Sequence, residues 1–598
     1  MAVYDTMKGL ILLCLGLLGR AVAVPPPPPW PPAGTRTLED HDESPTVVLE
    51  PGSTITGLAN VFGIDTFTGI PYAEPPIGNL RLKPPKKWTK PLGNWVAPLM
   101  APSCPQMFFS DKQGPWISQV MGALANTPLF QDAFLIDEDC LTITVQRPTG
   151  IDKGAKLPVL FWIFGGGFQV INRIMTAWEF WLTMRQLGAT SLYDASLLIN
   201  QGQSMQMPFI FVAVNYRTGG FGFMPGREIH RDGSANIGLR DQRMGLEWVS
   251  DNIEAFGGDP ERVVLWGESA GAISVFDQMG LYGGNNMYKG KRLFRGAIMN
   301  SGSIIPADPV DCPKAQSVYD MVVAVAGCDK VRDTLHCLRQ LPYEKFLDAA
   351  NSVPGILSYT SVALSYLPRP DGRVLTRSPE MLVMNGEYAA VPMIIGDQED
   401  EGTIFALFQY NLSSTAEIVD YLQEYYFHGA SEATVRGLVA TYPDDPTQGS
   451  PFRTDIWNVI YPQFKRLAAL LGDISFTLAR RAFLDATNIV NPGVPSWSYL
   501  NSYDFGTPIL GTFHAADVAE VFYGPLPSYP ATATQTYYIN FLYHLNPNNG
   551  SNLFTHWPAW ARDRQLMNFH ALGSELIPDN FRSQSYDFLW SNIGSLHF

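Results

Sequence analysis

A chain of 598 residues with 46% hydrophobic and 12% aromatic residues can fill a large core, and 16% charged residues is too few for a disordered chain. The formal net charge of −15 argues against nucleic acid or an anionic membrane surface as the partner and suits a soluble, self-repelling protein. No internal repeat and no long Gly/Ser linker divides the chain, so its length reads as one large core with insertions.

The N-terminus runs from Met1 to Lys8, then through the apolar stretch Gly9–Gly19 to Arg20-Ala-Val-Ala23. That stretch is too short to span a bilayer, and the small residues before position 24 predict a secretory signal, 1–23, cleaved after Ala23. Residues 24–44, proline-rich and then polar, predict an extended arm, and 45–598 the folded domain. Of six cysteines, Cys14 leaves with the signal; Cys104, Cys140, Cys312, Cys328 and Cys337 remain, which predicts two pairs and a spare thiol in an oxidising compartment. No Cys-x-x-Cys spacing or Cys/His cluster suggests a metal site. Asn411-Leu-Ser413 and Asn549-Gly-Ser551 are glycan acceptor patterns that fit secretion.

From Val47 to Trp88 the pattern is short strands broken by turns, with Phe67–Gly78 expected as an irregular proline-rich connection. Between Cys104 and Cys140, Trp116, Ile117, Val120, Met121 and Leu124 recur at near-helical spacing. That stretch reads either as a lid over an apolar site or as an amphipathic helix packed on the core, and periodicity favours the helix. Leu157–Ile163 is a continuous apolar run of the kind buried in a parallel sheet, and it enters Phe164-Gly165-Gly166-Gly167-Phe168. Three glycines after a central strand let backbone N–H groups face a cleft, as in an oxyanion hole. Met207–Arg217 is expected as the next strand and Gly238–Val249 as a helix.

Val263–Trp266, β-prone, precede Gly267-Glu268-Ser269-Ala270-Gly271, and a helical pattern follows from Ala270. A strand turning sharply into a helix through G-x-S-x-G is a nucleophile elbow: it lifts the Ser269 hydroxyl clear of the sheet and leaves the Ala270 N–H unpaired at a helix start. Strands alternating with helices predict a mostly parallel, doubly wound sheet with its site at the strand carboxyl ends. A serine nucleophile needs a base and an acid to orient it, in the chain order serine, acid, histidine. After the expected strand Val391–Gly396, Asp397-Gln-Glu-Asp-Glu-Gly402 offers four carboxylates among which spacing does not choose. After the strand-like Trp497–Tyr503, His514 sits in a loop among small residues, whereas His544 and His556 fall in a helical pattern and a proline-broken connection.

These pieces, with Phe67–Ala73, Glu138–Thr142, Ala255–Pro260, Leu364–Gly372, Asp400–Thr403 and Leu510–Ala515, resemble the type-B carboxylesterase and cholinesterase family of α/β-hydrolases, and within it the Candida rugosa and Geotrichum lipases. The resemblance implies an α/β-hydrolase fold, a large, mostly parallel central sheet flanked by helices, with a disulfide-closed lid loop. It implies Ser269 as nucleophile, His514 as base, Glu401 as orienting acid, and Gly166, Gly167 and Ala270 as oxyanion donors. It pairs Cys104 with Cys140 and Cys328 with Cys337, leaving Cys312 free, and it places Ile356, Leu357, Ser361, Val362, Leu364, Leu471, Ile474 and Phe476 along an acyl tunnel. No cofactor is implied.

Two departures stand out. Phe164 occupies a position where relatives carry histidine or tyrosine, which removes a polar side chain but no backbone donor. Ile171–Leu187 has no counterpart in the family pattern; it reads as an apolar helix beside the site mouth or, the preferred reading, as a short intron carried into the product. The chain is therefore expected to be a secreted serine hydrolase of carboxylic esters, a triacylglycerol lipase working on lipid or ester substrates, with an oil–water interface as partner. The alternatives are a soluble carboxylesterase or sterol esterase, a choline esterase for which no cationic-substrate site is legible, and a non-catalytic binding protein of the same fold.

Overall fold

Leu157–Ile163 forms a strand with every residue buried, because it lies inside an eleven-stranded sheet. The computed structural model describes residues 44–98, 101–107, 136–169, 193–523, 528–548 and 553–598. The signal, the arm up to 43, the lid stretch from Trp116 to Leu135, the insertion Ile171–Leu187 and Asn549 lie outside the described residues.

Numbered along the chain, the strands of that sheet are β1 Leu58–Ala59, β2 Ile64–Pro71, β3 Thr142–Pro148, β4 Leu157–Ile163, β5 Ile210–Val214, β6 Gly258–Glu268, β7 Gly296–Asn300, β8 Met393–Gln398, β9 Ser496–Asn501, β10 Gln565–His570 and β11 Gly573–Pro578. Their order across the sheet is β11-β10-β9-β8-β7-β6-β4-β5-β3-β2-β1. Every pairing from β10 to β5 is parallel, and the pairings at both edges are antiparallel. The chain steps outward from β4 to β5 and then crosses back to β6 on the other flank of β4. That reversal opens a crevice at the carboxyl ends of β4 and β6, the place where such sheets bind ligands.

Side chains lock these two strands together. Trp162 on β4 and Trp266 on β6 meet edge to face at 4.4 Å, and Trp266 stacks on Phe522 at 4.8 Å. The helix Ala270–Gly284 follows β6 at once and is buried from Ala270 to Leu281, leaving helical geometry only at Leu281–Gly283. The expected helix over Gly238–Val249 is present as Ile237–Asn252.

Two expectations are revised. Phe67–Pro71 is not part of an irregular connection: β2 continues through it, paired with β3, and absorbs the mismatch in a bulge between Phe67 and Ile70 where Gly69 takes φ +72°. The strand expected over Met207–Arg217 pairs only over Ile210–Val214. A separate three-stranded sheet joins Thr46–Leu49, Ser53–Thr56 and Gly93–Val96. The disulfides Cys104–Cys140 and Cys328–Cys337 are formed, and Cys312 is free. Its sulfur instead accepts the Ala315 N–H and caps the helix Pro313–Val325. Among the described residues no helix is long and apolar enough to cross a membrane.

Candidate active site

Ser269 stands between β6 and its helix with φ +56° and ψ −125°, a conformation that costs a non-glycine residue free energy and is held by its surroundings. Its N–H donates to the Asn300 carbonyl at the end of β7, 2.9 Å away. A Cβ on Gly267 would come within 2.3 Å of the Gly271 carbonyl oxygen, and one on Gly271 within 2.0 Å of the Ile163 oxygen. Both glycines of the elbow are therefore required by close backbone approach.

The register of the sheet places the glycine loop beside the elbow, since Ile163 on β4 pairs with Gly267 on β6. A Cβ on Gly165 would fall 2.5 Å from the Glu268 carbonyl oxygen and 2.9 Å from the Ser269 Cβ. The first glycine of the triplet thus lets the loop pack on the elbow, a role not read in the sequence. Gly166 and Gly167 follow with φ of +95° and +62°, which turn the loop's amides. Gly167 and Ala270 both line the cavity at Ser269, whereas Gly166 is not part of its lining. Ala270 is the first residue of its helix, so its N–H has no intrahelical acceptor. Phe164 stacks on Tyr216 at 4.3 Å while the Tyr216 hydroxyl donates to the Phe164 carbonyl, so the aromatic ring at this position braces the loop by packing.

At the carboxyl end of β8 and just past it, all four competing carboxylates have partners. Asp397 accepts from Arg480 Nε at 2.7 Å, and Glu399 accepts from Arg453 Nε at 2.7 Å. Asp400 accepts from the Ser450 hydroxyl and from the N–H groups of Phe452 and Thr512 at 2.8–3.0 Å. Glu401 Oε1 accepts the Gln398 N–H at 2.7 Å, and its Oε2 lies 2.5 Å from His514 Nδ1. His514 Nε2 lies 2.8 Å from Ser269 Oγ. With the Nδ1 proton directed at a carboxylate, Nε2 is the free acceptor for the serine proton.

Burial pulls the His514 imidazole down, but the charges of Glu401, Glu268 and Asp517 more than offset it and lift its pKa from 6.5 to about 9. Glu268, inside the G-x-S-x-G motif, lies 3.4 Å from His514 Nε2. Asp517, raised to about 6 by burial, is held by Asn300 Nδ2 at 2.7 Å. Phe405 and Phe476 flank the imidazole at 5.0 and 4.6 Å and keep water from its face. Sequence reasoning missed Glu268, Asp517 and Phe405; the first two are carboxylates close in sequence to Ser269 and His514, the only local signal of their presence.

An apolar cavity of about 570 Å³, open space at its mouth included, opens beside Ser269. Of the positions expected along a tunnel, Ile356, Val362, Leu364 and Phe476 line it. Ile474 lines a second cavity, with Phe598 common to the walls of both. Leu357, Ser361 and Leu471 line neither: Leu357 packs on the core, Ser361 Oγ donates to the Phe405 carbonyl, and Leu471 is wholly buried. Asn411 is exposed, with its side-chain amide donating to the Tyr359 hydroxyl at 3.0 Å.

The sequence profile of the carboxylesterase family matches residues 45–589. The chain belongs to the carboxylesterase family. The enzyme is 55% identical to "Secreted lipase 1" of Botryotinia fuckeliana over 94% of this chain and 95% of that protein. It is 54% identical to "Secreted triacylglycerol lipase LIP1" of Gibberella zeae over 94% of this chain and 92% of that one. Among solved structures, Aspergillus niger EstA superposes with a TM-score of 0.76 at 26% identity, covering 93% of this carboxylesterase and all of EstA. The α/β-hydrolase fold expected from the sequence is thereby shown, and the chain is a carboxylic ester hydrolase.

Proposed function

We propose that the chain is a secreted triacylglycerol lipase that works through an acyl-enzyme on Ser269. The observation that carries this reading is the unbroken chain Glu401–His514–Ser269, at 2.5 and 2.8 Å, set at the mouth of an apolar cavity. Ser269 Oγ attacks the ester carbonyl while His514 Nε2 takes its proton, and Glu401 steadies the imidazolium that forms. The Ala270 N–H, with those of Gly166 and Gly167, receives the negative charge on the carbonyl oxygen; each donor is worth about 3–4 kcal/mol in the acylation barrier. His514 then protonates the departing alcohol as the C–O bond breaks. Water, deprotonated by the same nitrogen, attacks the acyl-enzyme and frees the fatty acid.

Secretion is supported by two disulfides, by the N-terminal signal pattern and by the names of the relatives, both called secreted. The triacylglycerol substrate is supported by the name of the Gibberella relative and by the apolar cavity. An oil–water interface is the corresponding partner. The test is the rate against triacylglycerol concentration carried through the solubility limit: a jump at the emulsion is expected, and saturation below it with short-chain preference points instead to a soluble esterase.

A further inference from the structure

Apart from Ser269, the side chains lining the acyl cavity are apolar except at Asp277 and Ser475. Asp277 is 0% exposed, and neither of its carboxyl oxygens has a hydrogen-bond partner among the described residues. Ser475 is 2% exposed, and its hydroxyl has no partner there either. A buried carboxyl with both oxygens unmet costs stability, and an apolar residue would fill the same wall without that cost. Such a group is stabilised when a polar group entering the cavity meets it.

Asp277 lies on the helix that begins at Ala270, eight residues beyond Ser269, which places it about 12 Å along the helix axis. That separation sets it away from the reacting carbonyl, on the wall of the same cavity, where it can face an acyl chain beyond its ester end. Burial alone pushes its carboxyl well above the usual range, with no charged neighbour contributing. Left unpaired in this wall, the carboxyl is biased toward its neutral form, which offers one O–H donor and one C=O acceptor. A plain alkyl chain laid over it shuts out water and returns nothing, whereas a hydroxyl on the chain accepts from the O–H and donates to the C=O.

We propose that Asp277 is a specificity-determining residue that recognises a hydroxyl carried mid-way along a long acyl chain, with Ser475 as a second polar contact in the same cavity. The enzyme then prefers esters of mid-chain hydroxylated fatty acids to esters of plain fatty acids of equal length. This inference rests on the ester-hydrolase reading of Ser269 given above.

The experiment compares kcat/KM of the full-length protein for p-nitrophenyl hydroxystearate, with its hydroxyl mid-chain, and for p-nitrophenyl stearate in the same mixed micelles. The wild-type protein is expected to favour the hydroxy ester by about tenfold, the discrimination that one buried hydrogen-bonded pair supplies. Asp277→Leu should bring the ratio close to one, and Asp277→Asn, which still donates and accepts, should keep most of it. The ratio is internal to each variant, so partial misfolding cancels. A wild-type ratio at or below one, or a ratio unchanged in Asp277→Leu, overturns the proposal, as does a ratio lost only in Ser475→Ala. Failure of the wild type to cleave either ester or p-nitrophenyl butyrate would instead overturn the ester-hydrolase reading itself.

Discussion

Asp400 and Phe513 are joined as a parallel β-bridge, with the Asp400 N–H donating to the Thr512 carbonyl at 2.9 Å and the Thr512 N–H donating back to the Asp400 carboxylate at 3.0 Å. The next residue on each side is Glu401 and His514, so this bridge sets the acid and the base side by side across 113 residues of chain. Asp400→Asn puts an amide donor where the Thr512 N–H needs an acceptor. Displacing His514 by a fraction of an ångström is expected to lower kcat by roughly 10- to 100-fold with a smaller change in KM. Steady-state kinetics on a soluble ester check this; an unchanged kcat would show that the bridge does not position the base.

Catalysis needs neutral His514, so activity rises as pH climbs through its pKa. Burial lowers that pKa, but the surrounding carboxylates raise it above 6.5 to about 9, so the acid limb of the kcat/KM profile is expected in the alkaline range. Glu268, 3.4 Å from Nε2, is one source of the rise. Removing its charge in Glu268→Gln should move the acid limb toward lower pH by about one pH unit. A limb that stays in place, measured over the same buffers, would contradict this role for Glu268.

Val362 lines the cavity and is 8% exposed. Val362→Phe adds a ring to a space of about 570 Å³ and should exclude long acyl chains while sparing short ones. The expected outcome is a fall of about tenfold or more in the octanoate-to-butyrate ratio of kcat/KM, the size of discrimination that steric pockets reach. An unchanged ratio would place the acyl chain elsewhere.

The elbow was legible because its constraints are local. A strand, a residue forced to positive φ and two glycines that touch neighbouring backbone all fall within five residues, and the Gly271 contact with Ile163 leaves no other choice of side chain. The acid was not legible from spacing. Asp397, Glu399, Asp400 and Glu401 share one hexapeptide, and what separates them is Arg480, Arg453, Ser450 and His514, each fifty or more residues away. The glycine triplet was read as a source of amide donors, yet Gly165 is required by the elbow's backbone, a contact that exists only once β4 and β6 are neighbours. Likewise, Asp277 reads as one polar residue in a buried helix until the cavity beside it is seen.

The central claim is that Ser269, armed by His514, is the nucleophile. Incubation with a p-nitrophenyl alkylphosphonate, followed by peptide mass mapping, tests it most directly. The account predicts one phosphonyl adduct per chain, on Ser269, forming in step with the loss of ester hydrolysis and absent from Ser269→Ala. An active protein that carries no adduct, or carries it on another residue, would contradict it.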